Sequence, residues 1–191
     1  ISLEDDLRRI GIVYDALSKI TKRPRIMIDS NEYWSVKQAI QTIHKIEEKF
    51  DIFWAEEPVR RWDYKGLKMV SNNIKAAVST GENLNNVGDF YSLINNQAAD
   101  ILNVSSYQSG VTGLRQISNV AYAYEIPVTT MNCIGNYNAH IATSIPNHIM
   151  MEVVDPGREK AYSKWNDNIA DGYLHLDETP GIGLIVDEKA D

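Results

Sequence analysis

Short apolar runs and amphipathic stripes alternate along this chain, and few folds accept that pattern. Leu7, Ile10, Tyr14, Leu17 and Ile20 recur every three or four residues, the spacing of one helix face. Lys22-Arg23-Pro24 interrupts the stripe, and the strand-like run Ile26-Met27-Ile28 follows, ending in Asp29. Val36, Ile40, Ile43, Ile46 and Phe50 form a second stripe, and Ile52-Phe53-Trp54-Ala55 a second run, ending in Glu56. Ala76-Ala77-Val78-Ser79 leads to Glu82. Beyond it the pattern predicts helices over 87–94, 111–124 (opened by Gly110) and 137–144, and strands over 101–104, 126–130 and 149–153. Strands alternating with helices at this pace imply βαβ units and a parallel sheet.

The expected strands begin near 26, 52, 76, 101, 126 and 149. A spacing of about 25 residues suits one unit of an eight-unit barrel of about 250 residues. The expected fold is therefore α/β, a (β/α)8 TIM-like barrel, with about six of its eight strands in residues 1–154. Two units are expected on the N-terminal side, outside this chain. Residues 155–191, rich in Asp, Gly and Pro, read as an irregular C-terminal tail. The formal net charge of -7 argues against nucleic acid, which needs a basic face. An anionic substrate stays open, because a bound cation inverts the local field. Cys133 is the single cysteine, so no intramolecular disulfide forms, as suits a cytoplasmic setting. No run reaches the roughly 20 apolar residues of a membrane span. Ile1-Ser2-Leu3-Glu4-Asp5-Asp6 lacks the pattern of a signal peptide and an initiator methionine, as in a piece of a longer polypeptide.

Asp29, Glu56 and Glu82 each fall at or just past the end of an expected strand, and the strands are consecutive. In a parallel barrel those ends share the face that carries active sites. Neighbouring strands lie about 5 Å apart, so three such carboxylates can converge. They repel unless a cation stands among them, and oxygen-only ligands favour Mg²⁺ or Mn²⁺ over Zn²⁺. Each residue also has a plainer reading. Asp29 with Glu32 suits a helix capping box, Glu56-Glu57-Pro58 a solvated strand end, and Glu82 a loop charge. None of these explains the common register.

The ordered set Ile28-Asp29-Ser30-Asn31, Trp54-Ala55-Glu56-Glu57-Pro58, Thr80-Gly81-Glu82-Asn83, Ser109-Gly110-Val111-Thr112-Gly113, Asn138-Ala139-His140, the strand ending in Glu152, and Thr179-Pro180-Gly181-Ile182-Gly183 resembles the enolase superfamily, in its mandelate-racemase-like branch. The resemblance covers nearly the whole chain. It implies Mg²⁺ held by Asp29, Glu56 and Glu82, binding a substrate carboxylate and stabilising the enediolate formed when a base removes the neighbouring proton. Glu152 matches a position that hydrogen-bonds that carboxylate, for which it must be protonated. Asn31 lines the site two residues past Asp29. The resemblance also implies a capping domain absent from this chain, on which or on the barrel the 155–191 tail packs, and assembly as a homo-oligomer.

The chain departs from that pattern where the acid–base groups belong. The aligned His position carries Asn132, and its Asp partner falls on Val104 or Asn103. An amide has no useful pKa. The alternative Lys is absent among Ser105, Ser106, Tyr107 and Gln108. The general base is therefore expected upstream of Ile1. Racemisation needs a base on each face, whereas elimination of water is manageable from one. The expectation is dehydration of an acid sugar (an aldonate or aldarate, galactarate-like), with Asn103, Tyr107, Asn132 and Asn136 suited to its hydroxyls. An epimerase or cycloisomerase of the same superfamily, or a degenerate metal-binding barrel without turnover, are the alternatives. Cys133 reads as an inert buried thiol, and His44, His140, His148 and His175 form no metal-ligand pair. A partial sheet has two open edges. The isolated 191 residues are therefore predicted not to fold stably, and a cooperative thermal transition of that segment alone would overturn the prediction.

Overall fold

Each apolar run becomes a strand and each stripe a helix in the computed structural model. It describes residues 2–133, 135–153, 163–164, 169–178, 180–181 and 185–186. In chain order the elements are α1 (Leu3–Ser18), β1 (Ile26–Asp29), α2 (Val36–Glu47), β2 (Ile52–Glu56), α3 (Tyr64–Ser71), β3 (Ala77–Thr80), α4 (Val87–Asn95), β4 (Ile101–Ser105), α5 (Ser106–Ala123), β5 (Val128–Cys133), α6 (Gly135–Ala142) and β6 (His148–Val153). The α/β alternation expected from the sequence is present, and all six expected strands form. No helix among the described residues is long and apolar enough to cross a membrane. Two units divide the chain, one formed by Ile1–Thr80 with Ser92–Ile101, the other by Gly81–Tyr91 with Leu102–Asp191.

In the first unit β1 pairs with β2 and β2 with β3, all parallel. Ile26, Ile46, Ile52 and Ala76 are buried together, with Leu3, Leu7, Ile10, Tyr14, Leu17, Ile28, Phe50 and Ile74 packed against them. The α1 stripe is thus spent on this core, except at its end. Ile20, expected on the same face, lies beyond the helix and is 86% exposed. The N–H groups of Ile20 and Thr21 both turn to the Leu17 carbonyl at 2.9 Å, a tightened last turn that swings Ile20 off the stripe. Helix starts are fixed by side chains. Ser2 accepts from the Asp5 N–H at 3.2 Å, Ser35 and Gln38 form a capping box, and Asp63 accepts from the Gly66 N–H at 2.9 Å. Two carboxylates tie helices to strands. Glu47 at the end of α2 accepts from the Lys75 and Ala76 N–H groups at 2.8 and 2.7 Å, leading into β3. Asp100 accepts from the Val78 N–H at 2.7 Å and the Ser71 hydroxyl at 3.0 Å.

In the second unit β4 pairs with β5 and β5 with β6, again parallel. β5 starts at Val128 rather than at 126, because the Ile126 N–H is taken by the Ala121 carbonyl at 2.9 Å and Pro127 has no N–H to give. Gly110 has φ 64° and ψ 176°, so a first turn at Ser106 breaks there and the long part of α5 begins after it, as expected. α6 starts and ends two residues earlier than the sequence pattern suggests. Thr130 lies opposite Met151 and Cys133 opposite Val153, so β5 carries one extra residue, a bulge across Met131 and Asn132. In the tail, expected to be irregular, two short antiparallel pairs form, Ser163–Lys164 with Ile185–Val186 and Ile169–Ala170 with Tyr173–Leu174. Asp171 and Gly172 turn the second pair with φ 53° and 79°, values that small or short polar residues accept. Of the tail motif, Thr179, Ile182 and Gly183 lie outside the described residues.

Glu47→Ala leaves two backbone donors at the start of β3 without their acceptor. It is expected to lower stability by about 1–3 kcal/mol, read as a shifted midpoint in denaturant unfolding of the whole protein, and an unchanged midpoint would refute the tie.

Candidate functional site

β1 ends at Asp29 and β2 at Glu56, and the two are direct Cα partners across the parallel pair. Beyond Asp29 the backbone turns through two successive left-handed residues, Asn31 (φ 47°) and Glu32 (φ 61°). Asn tolerates that region better than most residues, and the turn is held down by hydrogen bonds to the next strand end. The Ser30 N–H donates to the Glu56 carbonyl at 3.2 Å, the Ser30 hydroxyl to the Glu57 carbonyl at 2.9 Å, and the Glu32 N–H to the same carbonyl at 2.8 Å. Folded this way, Asn31 donates its N–H to Asp29 Oδ1 at 2.8 Å and its side-chain amide to Asp29 Oδ2 at 2.7 Å. Asn31 therefore stands beside Asp29, exposed with it.

The capping-box reading of Asp29 with Glu32 fails on this geometry. The box belongs to Ser35 and Gln38, while Glu32 is 4% exposed and ion-paired with Arg61, with Arg60 at 4.0 Å. Sequence reasoning missed that pair. The consecutive arginines after Glu-Glu-Pro-Val were the available signal, legible once a buried carboxylate needed a partner. Glu56 is buried and accepts from the indole N–H of Trp54 at 3.2 Å, two residues back on the same side of β2. A solvated strand end does not describe it.

In the second unit the turn after β3 depends on Gly81. Its φ is 130°, and a Cβ there would stand 2.7 Å from the Phe90 ring and 2.8 Å from the Asn103 carbonyl oxygen. That approach sets Glu82, which is half-buried. Glu82 Oε1 accepts from the Asn83 amide and Oε2 from the Asn132 amide, each at 3.3 Å. The Asn132 N–H in turn donates to Glu152 Oε2 at 2.8 Å. Glu82, Asn132 and Glu152, far apart in sequence, are brought together. Tyr107 is 66% exposed, its N–H held by the Ser105 hydroxyl at 3.2 Å. Asn103 is placed differently from the expectation that it lines an open site. It is 0% exposed, and its Oδ1 accepts from the Thr129 hydroxyl at 2.6 Å, which commits it to the sheet interior. The side chain of Asn136 lies outside the described ones.

Burial pushes the Cys133 thiol up to about 12, with a smaller push the same way from the Glu152 charge, against a hydrogen bond to Thr130 that pulls it down. A buried thiol held in its neutral form has little thiolate to react. Burial also lowers the pKa of His148, whose ring nitrogen lies 3.2 Å from the Thr130 hydroxyl at the start of β6, away from the strand ends. Among the described residues no three His, Cys, Asp or Glu side chains are gathered into a metal-holding group. Asp29 and Glu56 in the first unit, and Glu82 in the second, are carboxylates that each accept a hydrogen bond from a neutral N–H. Carboxylate oxygens are the donors that suit a hard divalent cation such as Mg²⁺.

Residues 2–190 match the family described as Enolase C-terminal domain-like. The chain is 26% identical over 189 residues to the D-xylonate dehydratase of Haloferax volcanii, covering 95% of this chain and 46% of that protein. It is 25% identical over 145 residues to the L-Ala-D/L-Glu epimerase of Thermotoga maritima, covering 75% and 41%. A solved enolase from Bradyrhizobium, complexed with magnesium and mandelic acid, superposes with a TM-score of 0.76 at 25% identity, over 85% of this chain and 44% of that one. The chain thus spans under half the length of these relatives.

Gly81→Ala forces a side chain against the Phe90 ring and the Asn103 carbonyl at a positive φ. A loss of about 1–3 kcal/mol in stability is expected, measured by thermal or denaturant unfolding, and a variant as stable as the parent would refute the close approach.

Proposed function

The chain belongs to the Enolase C-terminal domain-like family, and from that membership we propose that it supplies the metal- and carboxylate-binding part of an Mg²⁺-dependent acid-sugar dehydratase. The reaction removes the proton α to a substrate carboxylate and expels the neighbouring hydroxyl as water, leaving an enol that becomes an α-keto acid. Asp29, Glu56 and Glu82 hold the cation, Mg²⁺ or, with similar oxygen preference, Mn²⁺. Support comes from the pairing of Asp29 with Glu56 at neighbouring strand ends and from the magnesium and mandelic acid in the Bradyrhizobium relative. When bound, the cation supplies positive charge opposite the substrate carboxylate as the proton leaves.

The chain's own residues do the rest. Asn31 fixes both oxygens of Asp29. Glu152 faces the carboxylate, and the exposed Tyr107 offers a hydroxyl to the substrate chain. The base that takes the proton is assigned upstream of Ile1. The observation that carries elimination over racemisation is Asn132. At this strand end stands an amide that cannot accept a proton, so one face of the substrate has no base from this chain. Loss of water runs from one face, whereas inversion at the α-carbon needs two. The second reading is an epimerase with both bases from outside the chain, favoured by the likeness to the Thermotoga maritima enzyme.

A panel of mono- and diacid sugars with Mg²⁺ and the whole protein is expected to yield an α-keto acid from at least one. Glu82→Gln is expected to reduce that turnover by at least about 100-fold. Exchange of the α-proton for deuterium without loss of water would replace the dehydratase with the epimerase.

A further inference from the structure

Asn132 sits in the extra residue of the β5 bulge, with φ 54°. A bulge re-aims the side chains around it, and a left-handed residue turns its N–H out of the ladder. Both effects are used here. The freed N–H of Asn132 reaches Glu152 Oε2 at 2.8 Å, and its side-chain amide reaches Glu82 Oε2 at 3.3 Å. One residue therefore donates to two carboxylates that arrive from different strands, fifty positions back and twenty positions on. The cost is a non-glycine residue at positive φ, a conformation that Asn accepts more readily than most. Glycine would accept it more readily still, but glycine carries no amide. Asn keeps both the conformation and the side-chain contact.

We propose that Asn132 is a positioning residue, a clasp that orients the Glu82 carboxylate through its side chain and the Glu152 carboxyl through its backbone, instead of a contact to the substrate. The inference rests on the reading of Glu82 as a metal ligand. A neutral donor suits the task. It orients the Glu82 carboxylate through Oε2, as the Asn83 amide does through Oε1, without setting a charge against the cation. A histidine at the same place would bring a titratable group between two acids, whereas the amide stays neutral at every pH.

The test is Mg²⁺ affinity of the whole protein by titration calorimetry, with the metal alone as probe, together with the metal-free melting temperature. Asn132→Gly relieves the backbone and keeps the N–H to Glu152 while removing the amide. Asn132→Ala removes the amide and keeps the strain, and Glu82→Gln is the reference. Both Asn132 variants are expected to bind Mg²⁺ about 10- to 100-fold more weakly, with the Gly variant melting no lower than the parent. That separation of affinity from stability is what a merely structural asparagine would not produce. Wild-type affinity in Asn132→Gly, with affinity lost in Glu82→Gln, would overturn the clasp alone. Wild-type affinity in Glu82→Gln would overturn the metal-ligand reading, and the clasp's role with it.

Discussion

Asp29 and Glu56 stand level because β1 and β2 pair with Ile28 opposite Ala55, and that register is held by what lies beneath it. Ile26, Ile46, Ile52 and Ala76 fill one cluster with the stripe of α1, so a slip of one residue would turn the buried row outward and the carboxylates inward. The apolar packing therefore sets where the two carboxylates stand. Nothing in the carboxylates themselves favours their approach, since like charges repel. The rest of the first unit supports the same register. Glu47 and Asp100 occupy backbone donors near β3, and the arginine-paired Glu32 anchors the loop that carries Asn31.

The second unit solves a similar problem by different means. Glu82 lies beyond its strand, so its position comes from a turn that only glycine can make and from a donor on β5. The bulge at Asn132 is the local irregularity that supplies the donor. Irregular backbone is costly and persists where surrounding structure holds it in place. Here the neighbours are two carboxylates that gain neutral hydrogen-bond partners.

Much of the fold was legible in the sequence because hydrophobic period is a local signal. The strand starts fell within two residues of the expected ones, and the helices followed the stripes except for α3, where none was expected. The errors have identifiable causes. Ile20 continued the period of α1, but the period says nothing of where the backbone hydrogen bonds tighten and stop. Asp29 with Glu32 had the spacing of a capping box, yet Ser35 and Gln38 formed it, because the two left-handed residues between Asp29 and the helix moved the cap downstream. Spacing alone makes Asn103 an open polar residue, but it is buried and bonded to Thr129.

The alternation of strands and helices, the carboxylates at or just past consecutive strand ends and the amide of Asn132 were all legible in the sequence, since each depends on residue type and spacing along the chain. Which polar groups meet is a matter of how the strands pack in three dimensions. Arg61 found Glu32, Thr129 found Asn103, and Asn132 found both Glu82 and Glu152. Those pairings join residues twenty to fifty positions apart. They depend on strand register, on one extra residue in β5 and on the space a glycine leaves, which no local pattern encodes.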